Sequence, residues 1–413
     1  MGLIASSTSH LFKSRPFLFV WASNVFYEFS GALATFCLSI LVYELTGSAL
    51  ALGSMWLLYF IPSLILQLFI GPFIDRWNRK WILIGSQWCK AFLFLLLLLV
   101  IGFNVLAVWQ LYVIQILIGL IAPLYIPANQ ALLPTIVAKE RLQEANASVD
   151  GAVRLMTFIA PLLGGFIIQY VEVAIAVLVM AVFSLFSGFL LLSIEMRKTI
   201  QLKKTRWIDD FKEGVSYFFK QKTIVWLCFF LTFVQFGVGV TMVIALPYIT
   251  DILTGTYDHY GFFLASFPLG YVLGSLLVRK IHFQKKRGVM LGSLFIGGLT
   301  FAVLAVNVNI YFALLTEAIA GVAMAIFNIH NITLFQQIAP NHLMGKLASV
   351  RLFFIRIAMP VGVAFAGIMS EWLGIRALYL VIGSLICIVS LLGLLLPYFK
   401  FIDEEGKEVK RAG

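Results

Sequence analysis

Hydrophobic residues along the chain occur in long continuous runs that are separated by short polar or basic breaks. An α-helix needs about 20 such residues to cross the hydrocarbon core of a bilayer. The runs predict twelve membrane-spanning helices, of which the fourth and tenth are the least clearly bounded, because both lead into amide-rich or proline-containing segments. The predicted spans lie near 16–43, 49–74, 81–102, 106–128, 148–170, 172–194, 223–250, 260–279, 288–306, 309–328, 348–370 and 375–398.

The longest polar break runs from Glu195 to Thr223 and divides the predicted spans into two sets of six. Within it, apolar side chains recur at helical spacing among charges, which predicts a short amphipathic helix. We expect this helix to lie on the inner membrane surface; a regulatory docking site is the alternative. The predicted domains are an N-terminal six-helix bundle at 1–195, a linker at 196–222, a C-terminal six-helix bundle at 223–398 and a cytoplasmic tail at 399–413.

Composition supports an all-α integral membrane protein. Of the 413 residues, 61% are hydrophobic and only 12% are charged, whereas soluble domains carry roughly a quarter charged residues. The net charge of +11 does not require a nucleic-acid partner, because the basic residues lie between the apolar runs. The four cysteines lie inside apolar runs without ligand-like spacing, so we expect buried thiols, no metal site and no cofactor.

The basic residues also predict the orientation of the chain. They cluster after span 2, in the middle loop and after span 8, whereas the loops of the opposite side hold only Arg376. Lys and Arg accumulate in cytoplasmic loops. Both termini are therefore expected to be cytoplasmic, with the basic side facing anionic lipid headgroups.

The two halves share an internal repeat at an offset of 202 residues. Unusual residues match at this one offset, which is hard to ascribe to chance. A duplicated six-helix unit is the architecture of transporters that rock about a site near the membrane midplane. The matched pairs are Gln115 with Glu317, Gly119 with Gly321, Asn129 with Asn331, and Arg154 with Arg356.

The sharpest local motif is the loop after span 2, which reads Gly71-Pro-Phe-Ile-Asp75-Arg76-Trp-Asn-Arg79-Lys80. It resembles the loop between helices 2 and 3 of the major facilitator superfamily, in sequence and in position. The resemblance implies a cytoplasmic latch formed by Gly71, Asp75, Arg76 and Arg79, with Asp75 near the N-terminus of helix 11. Asn78 stands where the family usually has glycine, and Asn tolerates the left-handed turn expected there.

Within this superfamily the chain is similar to the macrolide-efflux and enterobactin-exporter branch. The segments that carry this similarity are 41–48, 129–134 and 140–146. Helix 5 keeps only the second part of the motif that is typical of drug antiporters. The similarity implies a bacterial inner or plasma membrane protein that exports small molecules.

Two carboxylates lie deep inside predicted spans. Glu28 lies about 20 Å beyond Arg15, and Glu317 lies about 12 Å beyond Asn309 from the opposite side, at 1.5 Å per helical residue. A charge in the membrane interior is costly unless it faces a cavity or a partner. Because helices 1 and 10 line the cavity of the resembling family, either residue is a candidate for proton exchange or for holding a cationic substrate. A structural hydrogen bond to a neighbouring helix is the alternative for each.

Other polar residues in the spans complete the candidate site. Arg154 and Arg356 are expected near the cytoplasmic ends of helices 5 and 11, where they either pair as a gate or extend towards the lipid surface. Lys90 in helix 3 is expected to form a structural ion pair. The candidates for lining an amphiphile pocket, each of which could instead bond a neighbouring helix, are Asn24, Tyr27, Gln67, Gln115 and Gln235.

These observations predict a secondary transporter that is not an enzyme. We expect proton-coupled export of an amphiphilic small molecule by a monomer that opens alternately to either side. A siderophore exporter or lysolipid transporter is an alternative within the same class. A membrane sensor or scaffold that transports nothing is the alternative from another class, although a scaffold has no need of charges near the midplane.

Overall fold

The computed structural model describes residues 11–138, 141–194, 207–280, 286–340 and 343–402. Within these ranges the side chains of residues 68, 71–76, 207–212, 279–280 and 286 lie outside the description. The long helices are α1 (Arg15–Thr46), α2 (Ala49–Arg76), α3 (Arg79–Gly102), α4 (Val108–Ile136), α5 (Leu142–Tyr170), α6 (Val173–Leu192), α7 (Trp207–Lys220), α8 (Lys222–Pro247), α9 (Tyr257–Lys280), α10 (Lys286–Val306), α11 (Ile310–Ile338), α12 (Met344–Leu373) and α13 (Ile375–Leu395).

All of these helices except α7 are long and apolar enough to cross a membrane, which makes twelve spans in the described residues. The prediction of twelve spans is thereby confirmed. The helix α7 coincides with the predicted amphipathic segment of the linker. A π-helical turn at Tyr248–Ile252 extends α8, and a 3-10 turn at Pro397–Lys400 follows α13.

The largest errors in the predicted spans lie at the C-terminal ends of the fourth and tenth spans, which correspond to α4 and α11. The prediction ended these spans at 128 and 328, but α4 continues to Ile136 and α11 to Ile338. In α4 the prolines at 123, 127 and 134 all lie inside the helix. Prolines are tolerated in membrane helices because neighbouring helices satisfy the freed backbone groups.

The first of two compact units contains α1 to α6 together with Thr256–Ala265 of α9. In it α1 packs against α5 and α6, α3 against α4 and α6, and α2 against α4. The α2–α4 crossing is close: a Cβ built on Gly119 would lie 2.5 Å from the carbonyl oxygen of Tyr59. Only glycine permits this approach without a backbone shift.

The second unit contains α7, α8 and the chain from Ser266 onwards. In it α8 packs against α12, α10 against α11 and α13, and α7 against α12. Gly321 of α11 lies against the carbonyl of Phe267 in α9, where a Cβ would overlap that oxygen. The repeat match between Gly119 and Gly321 therefore reflects one packing role, a helix crossing that excludes a side chain.

The apolar face of α7 packs on protein at Phe218. The Phe218 ring is 2% exposed and stacks on Phe354 of α12 with centroids 5.6 Å apart. The Lys346 Nζ donates to the Glu213 carboxylate at 2.6 Å. The expectation that this face lies on lipid is wrong for Phe218, because an aromatic partner on α12 covers it; Phe219 beside it stays 59% exposed.

The expectation that all four cysteines are buried is also only partly right. Cys37 and Cys228 are buried, whereas Cys387 is half-buried and Cys89 is exposed. Cys89 lies on α3, on a face that the neighbouring helices leave uncovered. An apolar run shows that a segment lies in the membrane but does not show which face of the helix meets lipid.

Candidate functional site

In the first unit, Glu28 lies half-buried on α1, next to the buried ring of Tyr27. This ring stacks on Tyr125 of α4, with centroids 3.7 Å apart and an interplanar angle of 11°. Tyr125 is 1% exposed. The stacked pair therefore fixes α1 against α4 beside the carboxylate.

Lys90 of α3 is the cation of this cluster. It is 4% exposed, and its Nζ lies 4.4 Å from the centroid of the Tyr27 ring. A Cβ built on Gly31 would lie 3.8 Å from the same Nζ. The charges of Glu28 and Lys90 interact electrostatically, yet in the described residues no direct salt bridge joins them. The predicted ion pair therefore consists of two charges that lie near each other without forming a direct salt bridge.

Polar side chains extend this cluster across the first unit. Asn24 is buried and exchanges amide hydrogen bonds with Asn129 of α4. Next to it, the Ser23 and Ser187 hydroxyls lie 2.8 Å apart, and the Gln87 Nε2 donates to Ser187 at 2.8 Å. This layer joins α1, α3, α4 and α6. Its hydrogen bonds satisfy groups that hydrocarbon cannot.

In the second unit, Glu317 is half-buried on α11. Within the described part of the chain its carboxylate has neither a hydrogen-bond partner nor a salt-bridge partner. Gln235 of α8 is also half-buried. A carboxylate held in a membrane helix without a protein partner is a functional-site candidate.

The other predicted pocket residues differ in their surroundings. Gln115 is 3% exposed and so lies inside the first unit, whereas Gln67 on α2 is exposed. Asn24 and Tyr27 are buried and engaged with α4. Within the first unit the structure therefore brings Tyr27 and Glu28 close to Lys90, with Asn24 one turn before Glu28 on α1.

The described part of the predicted latch stabilises the start of α3. The Arg79 Nη1 donates to the carbonyl of Ala131 at 3.0 Å, and the Lys80 Nζ donates to the carbonyls of Leu192 and Ile194 at 2.7 and 2.8 Å. The side chains of Gly71, Asp75 and Arg76 lie outside the described residues.

The expected left-handed turn at Asn78 is wrong. Asn78 is extended, with φ −71° and ψ 110°, and its Oδ1 accepts from the backbone N–H of Lys80. It is thus the N-cap of α3. The asparagine suits this position because its side chain accepts a hydrogen bond from the first turn of the helix.

The two predicted gate arginines are both exposed. Arg154 donates from Nε to Asp150 at 2.8 Å, one turn away in the same helix. Arg356 is exposed on α12. Exposed pairs such as Arg154–Asp150 contribute little to stability.

Two buried residues, Tyr125 and Arg351, were not predicted. One tyrosine in an apolar run does not stand out, although its stacking partner Tyr27 was a candidate. For Arg351, the repeat offset pointed to Arg356 instead. The one-turn spacing of Leu347, Arg351 and Ile355 places the arginine on an apolar stripe of its helix but does not show that protein covers this stripe; in the structure all three residues are buried.

The sequence model of the Major Facilitator Superfamily matches residues 20–244 and, again, residues 225–413. The chain therefore belongs to the Major Facilitator Superfamily. It is a multi-pass membrane transporter with the fold of that family, and it is not an enzyme. The two overlapping matches also agree with the internal repeat.

Relatives of this chain include proteins named for macrolide efflux. The chain is 22% identical to macrolide efflux protein A of Streptococcus pyogenes over 382 residues, which cover 91% of this chain and 94% of that protein. It is 24% identical to macrolide efflux protein A of Enterococcus faecalis, over 76% and 99% of the two chains. The fold is similar to the crystal structure of a bacterial homologue of the lysosomal transporter Spinster, with a TM-score of 0.72, 14% identity and coverage of 96% and 98%.

Proposed function

We propose that this transporter exports an amphiphilic small molecule, of the kind represented by macrolides, and that inward proton flow drives it. The observation that carries the proposal is a pair of half-buried carboxylates, one in each half of the repeat. Glu28 interacts with Lys90 without a direct salt bridge, and Glu317 has no protein partner in the described residues. Neither carboxylate forms a direct salt bridge with a described side chain, so each can take up a proton or a cation.

Macrolide efflux by the relatives supports export rather than uptake. We propose alternating access between the two membrane faces, with the bundles at 1–195 and 223–398 as the moving bodies of a monomer and both termini in the cytoplasm. The aromatic and amide side chains near Glu28 supply the mixture of apolar and hydrogen-bonding surface that binds amphiphiles. Asn24 and Tyr27 are the proposed contacts in the first bundle, with Gln67, Gln115 and Gln235 as further candidates.

The coupling proposal is tested in proteoliposomes with a radiolabelled macrolide and an imposed pH gradient. We expect the wild-type protein to accumulate the macrolide against its gradient, and Glu28→Gln or Glu317→Gln to transport it only downhill. Glu371→Gln is the matched control, because Glu371 is exposed at the end of α12. Normal uphill transport by both carboxylate variants would remove the coupling role.

The latch is a separate proposal. Asp75 follows Gly71 in the motif that the family shares, and Arg79 already fixes the start of α3 to α4. We expect Asp75→Asn to slow the transport cycle without abolishing macrolide binding, because the latch acts on the conformational step. Measuring turnover and equilibrium binding on the same preparation separates the two effects. Unchanged turnover would eliminate the latch.

A further inference from the structure

The second unit contains a buried arginine that the proposed function does not use. Arg351 on α12 is 7% exposed. Its Nη2 donates to the Asn331 Oδ1 at 2.6 Å, and its guanidinium carbon lies 4.7 Å from the centroid of the Phe335 ring. The Nε is buried and has no hydrogen-bond partner among the residues that the structure describes. The Arg351 guanidinium has five N–H donors, but its contacts are one neutral acceptor, the Asn331 Oδ1, and the face of the Phe335 ring.

No carboxylate in the described part of the second unit neutralises this charge. Glu317 lies 14 residues before Asn331 on α11, which is about 21 Å at 1.5 Å per residue. Glu371 lies 20 residues beyond Arg351 on α12, or about 30 Å by the same rise. Glu213 already accepts from Lys346. The guanidinium therefore has no acidic partner among these residues.

The surroundings hold the guanidinium in place. The Asn331 Nδ2 donates to the carbonyl of Leu227 in α8 at 2.9 Å, so the orientation of the amide is set and its oxygen points at Arg351. One turn before Leu227 on α8, Thr223 is fully buried, and among the described residues its Oγ1 has no hydrogen-bond partner.

We propose that Arg351, oriented by Asn331, binds an oxyanion, either a carboxylate or a phosphate group. A buried guanidinium is stable only when its charge is matched and its donors are used. Its planar edge, formed by Nε and one Nη, matches the two oxygens of a carboxylate or phosphate. The anion comes either from a soluble molecule or from the headgroup of an anionic lipid, since both present the same oxygens.

The test is thermal unfolding of the purified full-length protein in detergent, followed by tryptophan fluorescence. Inorganic phosphate and acetate are titrated at constant ionic strength against chloride. We expect a saturable rise in Tm of about 2–4 °C when the anion is at about ten times its Kd. Arg351→Met should abolish this rise. Arg376→Met, which removes a half-exposed arginine of α13, should keep it.

Two further measurements keep the result decisive. Without oxyanions, Arg351→Met should unfold at the wild-type temperature or above, because it removes an unmatched buried charge. A purely structural arginine would instead make this variant less stable in every buffer. Arg351→Lys keeps the charge and loses the planar fork, so phosphate binding should weaken by about tenfold or more, as expected for the loss of a bidentate contact.

The source of the anion is separated by adding phosphatidate or diacylglycerol to the micelles. Stabilisation by phosphatidate alone identifies a lipid phosphate, and stabilisation by inorganic phosphate or acetate identifies a soluble oxyanion. Either result supports the site when it is lost in Arg351→Met. If none of these anions raises the Tm, or if Arg351→Met responds like the wild-type protein, the proposal is wrong.

Discussion

Asn129 of α4 and Asn24 of α1 form a reciprocal amide pair. The Asn129 Nδ2 donates to the Asn24 Oδ1 at 2.6 Å, and the Asn24 Nδ2 donates to the Asn129 Oδ1 at 3.3 Å. The repeat partner Asn331 donates to the carbonyl of Leu227 in α8. Each asparagine thus joins the fourth helix of its half to the first, which explains why this polar residue occurs in both repeats.

We expect Asn24→Ala and Asn129→Ala each to destabilise the first unit. Polar pairs between membrane helices contribute on average about 0.6 kcal/mol and at most about 1.7 kcal/mol. The reciprocal geometry places this pair towards the upper end. A double-mutant cycle on unfolding in denaturing detergent measures the coupling, with the exposed Thr157→Ala as control. Strictly additive effects of the two substitutions would show that the pair contributes nothing.

Much of the fold could be predicted from sequence because membrane helices are specified by length and hydrophobicity. The number of spans, the duplicated halves and the amphipathic α7 followed from these patterns. The ends of α4 and α11 did not, because Asn129 and Asn331 look like loop residues until the helix that each one bonds is known. Hydropathy records that a residue is polar but not that a neighbouring helix satisfies it.

The site could be predicted only in part, for a similar reason. Glu28 stood out because a carboxylate in an apolar run is rare. Its surroundings depend on Lys90 and Tyr125, which are distant in sequence and meet it only through helix packing. Arg351 was missed because no sequence rule distinguishes a buried arginine near a helix end from one that extends to the lipid surface.

The Glu28 and Lys90 charges should be interdependent. Lys90 is the more deeply buried of the two, so Glu28→Gln leaves an uncompensated ammonium and should destabilise the protein by up to about 3 kcal/mol, since breaking a buried pair is costly. The double variant Glu28→Gln with Lys90→Met should recover most of this loss. Monodispersity and Tm of the three variants provide the measurement.

If the double variant is no more stable than Glu28→Gln alone, the two charges do not compensate each other. The double variant also serves the transport assay, because it separates a folding defect from a coupling defect. A well-folded double variant that still transports only downhill would show that the uncoupling of Glu28→Gln does not come from misfolding.

The helix crossing at Gly321 should not tolerate a side chain. Gly321→Ala would bring the new Cβ against the backbone carbonyl of Phe267, which cannot move as a flexible side chain does. We expect the free energy of unfolding to fall by about 1–3 kcal/mol, as for overpacked interiors.

The control is Gly292 of α10, which has no heavy atom within 4 Å of the equivalent Cβ position. Gly292→Ala should therefore be neutral or stabilise by up to about 1 kcal/mol, because alanine favours the helix. Equal Tm values for the two variants would contradict this difference.

The docking of α7 on α12 should depend on Phe218. This ring is 2% exposed against Phe354, whereas Phe219 next to it is 59% exposed. Truncating a buried phenylalanine costs about 3–5 kcal/mol, so Phe218→Ala should release α7 and speed amide hydrogen exchange across 213–220. Phe219 meets Phe354 only edge-on, with centroids 5.8 Å apart, and is 59% exposed. Phe219→Ala should therefore speed the exchange of this segment much less than Phe218→Ala does, since exposed positions shift stability by only about 0.5 kcal/mol. If lipid rather than α12 holds the helix, Phe219→Ala will have the larger effect, and the exchange of α7 will change when detergent replaces the bilayer.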